Sequence, residues 1–264
     1  MTQIRKVLCE AGKIGSITTI FLEGGEPFLY YPLMLEAVKA ATTMGFDVGI
    51  VTNGYFATTE EDAELWLAPL GELGISNLTI SDDVFHSGDE MESAAKRAIA
   101  AAGRLSIPMG TISVEQPSTG ETESSAGEKG EPIVGGGVMF RGRAAAKLVP
   151  GLPVRDWTSF NECPHEELEH PGRVHLDCYG NVSLCQGISI GNMWETPLSE
   201  MVKEYNARVH AICGILKDGG PARLVREYGL NHDEGYVDAC HLCYSARAAL
   251  LDRFPVYLSP RQVY

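Results

Sequence analysis

The sequence predicts an α/β fold, with a parallel-sheet region over residues 1–150 and a smaller cysteine-rich region over 151–264. Two features carry this expectation. In the first region short β-rich runs alternate with helical patterns at a period of about 30 residues, which means βαβ units with right-handed crossovers. In the second, Cys163, Cys178, Cys185, Cys213, Cys240 and Cys243 crowd together after a stretch of 153 residues that holds no cysteine, with only Cys9 before it. The boundary is expected at Pro150-Gly151-Leu152-Pro153.

In chain order, strands are expected at residues 17–22, 48–52 and 78–81, and helices at 32–44, 59–70 and 89–103. Pro32 stands where a first-turn proline is tolerated, Gly45 follows the last turn, and Thr59 precedes Glu60-Glu61-Asp62 as a helix cap. Two further strands are expected at 108–115 and 138–141. Between them, residues 116–130 are rich in Ser, Thr, Gly and Glu with almost no apolar residue, and are expected as a solvated, mobile insertion.

Composition narrows the function classes. The chain of 264 residues carries 21 basic and 35 acidic side chains, a net charge of −14, and so lacks the clustered Lys and Arg on which phosphate affinity rests. General nucleic-acid binding and anionic-membrane binding are therefore not expected. No apolar run reaches the roughly 18–20 residues that span a bilayer, and residues 1–9 are too polar for a signal peptide, so a cytoplasmic location is expected. Seven cysteines in such a chain read as thiols for metal or redox chemistry rather than as a disulfide framework.

Chemistry in parallel α/β folds gathers at the carboxyl ends of the strands, and the unusual residues of this sequence fall there. The first strand runs into Glu23-Gly24-Gly25-Glu26-Pro27, the second into Thr52-Asn53-Gly54, and the third into Ser81-Asp82-Asp83 followed by Val84, Phe85 and His86. Paired glycines let backbone approach a ligand, a carboxylate accepts from an ammonium group, and Asn, Ser and Asp bind hydroxyls or a carboxylate. Such a set suits a small zwitterionic ligand carrying a ribose. Each segment alone is also an ordinary turn or helix start.

On these residues the chain resembles the radical S-adenosylmethionine (SAM) enzymes. Residues 21–27 are similar to the GGEP motif of that superfamily, which implies SAM binding by Gly24, Gly25, Glu26 and Pro27, with Thr52, Asn53, Ser81 and Asp83 near the methionine and ribose. The stretch Val138-Met139-Phe140-Arg141-Gly142-Arg143-Ala144 resembles the sixth strand and its exit. The fold implied is a partial (β/α)6 TIM-like barrel lacking its first strand. The family's CxxxCxxC loop, whose thiolates hold the SAM-cleaving [4Fe–4S] cluster, is absent from this sequence. Cys9, beside Val7 and Leu8, is expected as a buried helix cysteine. The resemblance therefore implies an N-terminally truncated member whose residues alone do not cleave SAM, the second cluster being present only if the missing residues are restored.

The C-terminal region extends the resemblance. Cys163, the Gly180 to Cys185 segment and the CxxC pair Cys240-His241-Leu242-Cys243 look like the SPASM/twitch extension, implying one auxiliary [4Fe–4S] cluster on Cys163, Cys185, Cys240 and Cys243. Cys178 competes for the place of Cys163, and Cys213, in an apolar run, is expected as a core thiol. Four-thiolate zinc is the competing metal, with His165, His170 and His175 as mixed ligands, although histidines in a Pro/Glu-rich loop are expected to be exposed. The function implied is that of an oxidoreductase-type radical SAM enzyme acting on a peptide or small molecule, with a reductant protein such as a flavodoxin or ferredoxin as partner. The alternative from another class is a non-catalytic iron–sulfur or zinc module that retains the fold.

Overall fold

A computed structural model describes residues 1–83, 85, 93–121 and 132–264. The chain divides into two compact units, Met1–Gln116 and Pro117–Tyr264, so the division falls earlier than the Pro150-Gly151-Leu152-Pro153 segment.

The first unit opens with α1 (Thr2–Ile14), followed by β1 (Thr19–Leu22), a 3-10 turn at Pro27–Tyr30 and α2 (Tyr31–Thr43). Then come β2 (Asp47–Thr52), α3 (Glu60–Glu72), β3 (Asn77–Ser81), α4 (Ala94–Arg104) and β4 (Met109–Ile112). The four strands form one parallel sheet in the order β1-β2-β3-β4, with Leu22 opposite Ile50, Thr52 opposite Ile80 and Ser81 opposite Ile112. Consecutive strands are therefore neighbours, and their carboxyl ends share one edge.

Local chemistry places the helices. Thr59 accepts the Asp62 N–H at 3.0 Å and is followed by an acidic first turn, favourable at the positive end of a helix dipole. Ser93 caps α4 in the same way through the Lys96 N–H. Val48, Ile50, Leu78 and Ile80 then pack against Val38 and Ala41 of α2, Ala63 and Leu67 of α3, and Ala95, Ala98 and Ala102 of α4. Alanines along α4 let that helix lie close to its neighbours. On α1, Leu8 and Ala11 face this core and Cys9 does not: it is exposed, because successive helical residues turn by about 100° and its neighbours already occupy the inner face. The expected buried Cys9 is thus corrected.

The second unit begins with an antiparallel ribbon, β5 (Ser118–Glu121) against β6 (Pro132–Gly135). Residues 122–131, which hold most of the expected insertion, lie outside the described residues, as do Val84 and His86. The expected strand at 138–141 is not formed. Gly136 and Gly137 take φ values of +97° and +73°, which end the extended chain at β6 and leave Val138, Met139, Phe140 and Arg141 irregular before α5 (Arg143–Lys147).

Beyond α5, β7 (Arg155–Asp156) pairs with the distant β11 (Gly235–Tyr236), and β8 (His175–Leu176), β9 (Asn181–Cys185) and β10 (Ile188–Asn192) form an antiparallel sheet in the order β10-β9-β8. Three helices complete the unit: α6 (Leu198–Glu204), α7 (Cys213–Tyr228) and α8 (Ala239–Ala248). Leu184, Ile188, Ile212, Leu216, Leu224, Leu242 and Leu258 form its core.

Helix α7 is kinked at Gly219-Gly220-Pro221, and the kink positions Cys163. Gly220 has φ +60°, and a Cβ there would lie 2.3 Å from the backbone nitrogen of Glu162. The Ala222 N–H donates to the Phe160 carbonyl at 3.0 Å, fastening the loop that leads into Cys163. Gly220→Ala is expected to lower unfolding free energy by at least the ~1–2 kcal/mol that a left-handed residue costs. Gly103→Ala, at an exposed helical position with open space around it, is expected to raise it by about 0.5–1 kcal/mol. Urea unfolding midpoints of the two variants check both signs.

Candidate metal and cofactor sites

Four thiols of the second unit line one pocket: Cys163, Cys185, Cys240 and Cys243, together with Arg141, His165 and Arg247. Each comes from a different local structure. Cys163 follows the loop fastened to the α7 kink, Cys185 ends β9, and Cys240 and Cys243 lie three residues apart on one face of α8. Asp238 caps α8, its Oδ1 accepting the His241 N–H at 2.7 Å. Ile188 and Leu216 supply apolar wall.

Of the competing residues, Cys178 is exposed in the turn before β9 and does not line the pocket. Cys213 is fully buried at the start of α7, close enough to Cys243 and Cys185 to sense their charge. Exposed His165 is the one histidine of the 165, 170 and 175 set among the pocket's lining residues. Among the described residues, no group of three or more His, Cys, Asp or Glu side chains comes together as a ready site for a metal ion.

The charge around the thiols is unusual. Arg247 is 2% exposed, and its guanidinium donates to the carbonyls of Cys243 and Gln186 and to the Tyr264 hydroxyl, at 3.3, 2.7 and 2.8 Å. No carboxylate pairs with it among the described residues. Burial pulls its pKa down, but Cys243, Tyr264 and Cys185 outweigh burial and hold the group above its ordinary value. Arg141 donates from Nη1 to the Cys185 sulfur at 2.9 Å. Burial pushes the Cys240 thiol up to about 12, with Asp238 adding to it, and raises Cys243 as well. Burial therefore favours neutral Cys240 and Cys243 thiols, and metal ligation would require them to lose their protons.

Neither arginine was singled out as a site residue in the sequence. Arg247 lies four residues after Cys243 on α8, a spacing that puts both on one helical face, and this was the available signal. Arg141 carried no such signal, because the segment was expected to be a strand.

In the first unit the strand-end residues form a second constellation. Glu26 is 8% exposed, and its carboxylate is held by three donors: the Thr52 hydroxyl at 2.8 Å, the Asn53 N–H at 2.8 Å and the Phe28 N–H at 3.1 Å. It thereby ties the loop after β1 to the end of β2 and caps the turn begun by Pro27. A carboxylate has about four lone-pair sites, so one more donor can be accepted. Gly24 and Gly25 both have positive φ and face open space, leaving their backbone approachable. The Asn53 side chain accepts the Tyr55 N–H, and buried Asp83 accepts the Phe85 N–H. Ser81 ends β3 on the same sheet edge as Thr52. Cys9 is the sole cysteine of this unit, and it is exposed on α1.

Compared with protein-family models and with curated proteins, the chain matches none.

Glu26→Gln would set an amide NH2 against one of these three donors. The loss is expected at about 1–3 kcal/mol of unfolding free energy, the cost of a buried polar group left unpaired, whereas Ser81→Ala stays within about 0.5 kcal/mol of wild type. Denaturant titration of both variants checks this.

The buried thiols also set a pH dependence. Burial first, and then neighbouring thiols, hold Cys213 at about 12 in the folded chain, against roughly 8.5 when unfolded. A raised folded pKa contributes stability below the unfolded value and loses it as pH rises toward the folded one. Metal-free protein is thus expected to lose about 1.4 kcal/mol per pH unit from this thiol between those limits. Cys213→Ala should flatten the plot of unfolding free energy against pH by one proton.

Proposed function

We propose that the chain is an iron–sulfur protein of the radical SAM type, with Cys163, Cys185, Cys240 and Cys243 holding one [4Fe–4S] cluster and residues 24–27, 52, 53, 81 and 83 forming a SAM-binding edge. The observation that carries the proposal is the buried Arg247 guanidinium, whose acidic neighbours among the described residues are cysteine thiols and one phenol, all groups that burial favours in the neutral form or that must lose a proton to balance it. A buried cation without a carboxylate is costly unless an anion lies nearby, and a cluster on four thiolates is such an anion.

Zinc on the same four thiolates is the competing reading. Tetrahedral zinc with Zn–S bonds of ~2.3 Å would hold its four sulfurs within about 4 Å of one another and bring no sulfide. A cubane spreads its ligands over four corners and carries sulfide with it. The four thiols line one pocket, and the sulfide content of the reconstituted chain tells the two apart.

When bound, the cluster would supply one-electron transfer. The side chains around it have other tasks. Ile188 and Leu216 restrict water, Asp238 fixes the start of α8 and so aims Cys240 and Cys243, and the two arginines offset negative charge. At the parallel-sheet edge, Gly24 and Gly25 offer backbone to a ligand, and the fourth acceptor position of Glu26 suits the ammonium of SAM. The consecutive parallel order β1-β2-β3-β4 is the order of a segment of a (β/α) barrel. The resembled family acts on peptides or small molecules and draws electrons from a flavodoxin or ferredoxin, and that substrate and partner class is part of the proposal.

Anaerobic reconstitution with iron and sulfide, followed by metal and sulfide analysis, tests it. About four iron and four sulfide per chain are expected, lost in large part from Cys163→Ser, Cys185→Ser, Cys240→Ser and Cys243→Ser and retained in Cys178→Ser. A chain that takes up one zinc and no sulfide, or one whose iron depends on Cys178 and not on Cys163, would overturn the proposal.

A further inference from the structure

We infer that Arg141 and Arg247 raise the reduction potential of the group held by the four thiols. This rests on the proposed cluster at Cys163, Cys185, Cys240 and Cys243, and names the side chains that tune it.

The argument is electrostatic. Reducing such a cluster adds one negative charge to it and makes or breaks no covalent bond. Positive charge in a low-dielectric surround stabilises the reduced form more than the oxidised form, and N–H donors to sulfur act the same way by withdrawing electron density from the thiolate. Both devices are present. Arg141 places Nη1 2.9 Å from the Cys185 sulfur, and Arg247 stands beside Cys243 as a fully buried cation.

Three carboxylates among the described residues oppose this charge. Asp238 lies near Cys240 and is occupied in capping α8, while Glu162 and Glu166 line the pocket, the latter paired with Arg173. Arg247 is held from three directions by Gln186, Tyr264 and the Cys243 carbonyl, so its charge cannot swing away. Two guanidiniums therefore bear on the thiols, one through a hydrogen bond to sulfur and one through fixed buried charge.

The test is an anaerobic redox titration with dithionite as electron donor, followed by electron paramagnetic resonance of the reconstituted chain. Arg141→Gln removes the charge from an only half-buried position and should leave folding intact. It is expected to shift the reduction equilibrium at least tenfold toward the oxidised form, which is 59 mV for a one-electron couple. Arg141→Lys, which keeps the charge and changes the donor geometry, should recover part of that shift. A purely structural role for Arg141 would reduce cluster content without moving the midpoint. If wild type takes up no iron and sulfide, the cluster proposal and this inference both fall. If the cluster forms and Arg141→Gln titrates within twofold of wild type, the inference alone is overturned.

Discussion

The second unit is organised around a positive charge that has no carboxylate partner among the described residues. Arg247 is buried to 2% exposure and held by two carbonyls and a phenol, none of which neutralises it. Leaving such a charge uncompensated in a low-dielectric interior costs several kcal/mol, so its persistence requires an anion close by. The neighbouring Cys243 thiol can become that anion only by losing its proton, and burial works against this until a metal takes the proton's place. The guanidinium and the thiols therefore make a site whose charge the proposed four-thiolate cluster would balance. The Gly220 kink, the Asp238 cap and the end of β9 all bring a cysteine to that position.

The first unit solves a different problem with a buried negative charge. Among the described residues Glu26 has no basic partner on its carboxylate, and three hydrogen bonds from Thr52, Asn53 and Phe28 stabilise it instead. These bonds cross from the β1 end to the β2 end, so the residue that would touch a ligand's ammonium is also the pin that shapes the loop. Ligand binding and local stability are consequently coupled at one side chain. Gly24 and Gly25 stay open beside it because no atom among the described residues lies within 4 Å of where their Cβ atoms would stand.

Much of the first unit was legible in the sequence because a repeating strand–helix period is a local signal: the sheet strands, α2 and α3 fall within a few residues of expectation, and Thr59 caps where its acidic followers indicate. The strand expected at 138–141 was not, because the left-handed backbone at Gly136 and Gly137 ends the extended chain early, and a glycine's φ is set by its surroundings rather than by its identity. Cys9 was misplaced by its apolar neighbours, since helical phase rather than neighbourhood decides which residue faces the core. In the pocket, the cysteines could be named from their spacing, but Arg141 and Arg247 could not. A lone arginine has no pattern, and its role depends on partners such as Gln186 that stand 61 residues away.

The central claim is that the thiol pocket holds a polynuclear iron–sulfur group and not a single ion. Iron-edge X-ray absorption of the anaerobically reconstituted 264-residue chain measures this most directly, because it reports the atoms around iron. The account predicts iron surrounded by sulfur alone, with a second shell of iron at cluster distance. Nitrogen or oxygen from His165 in the first shell, or iron with no iron neighbour, would contradict it.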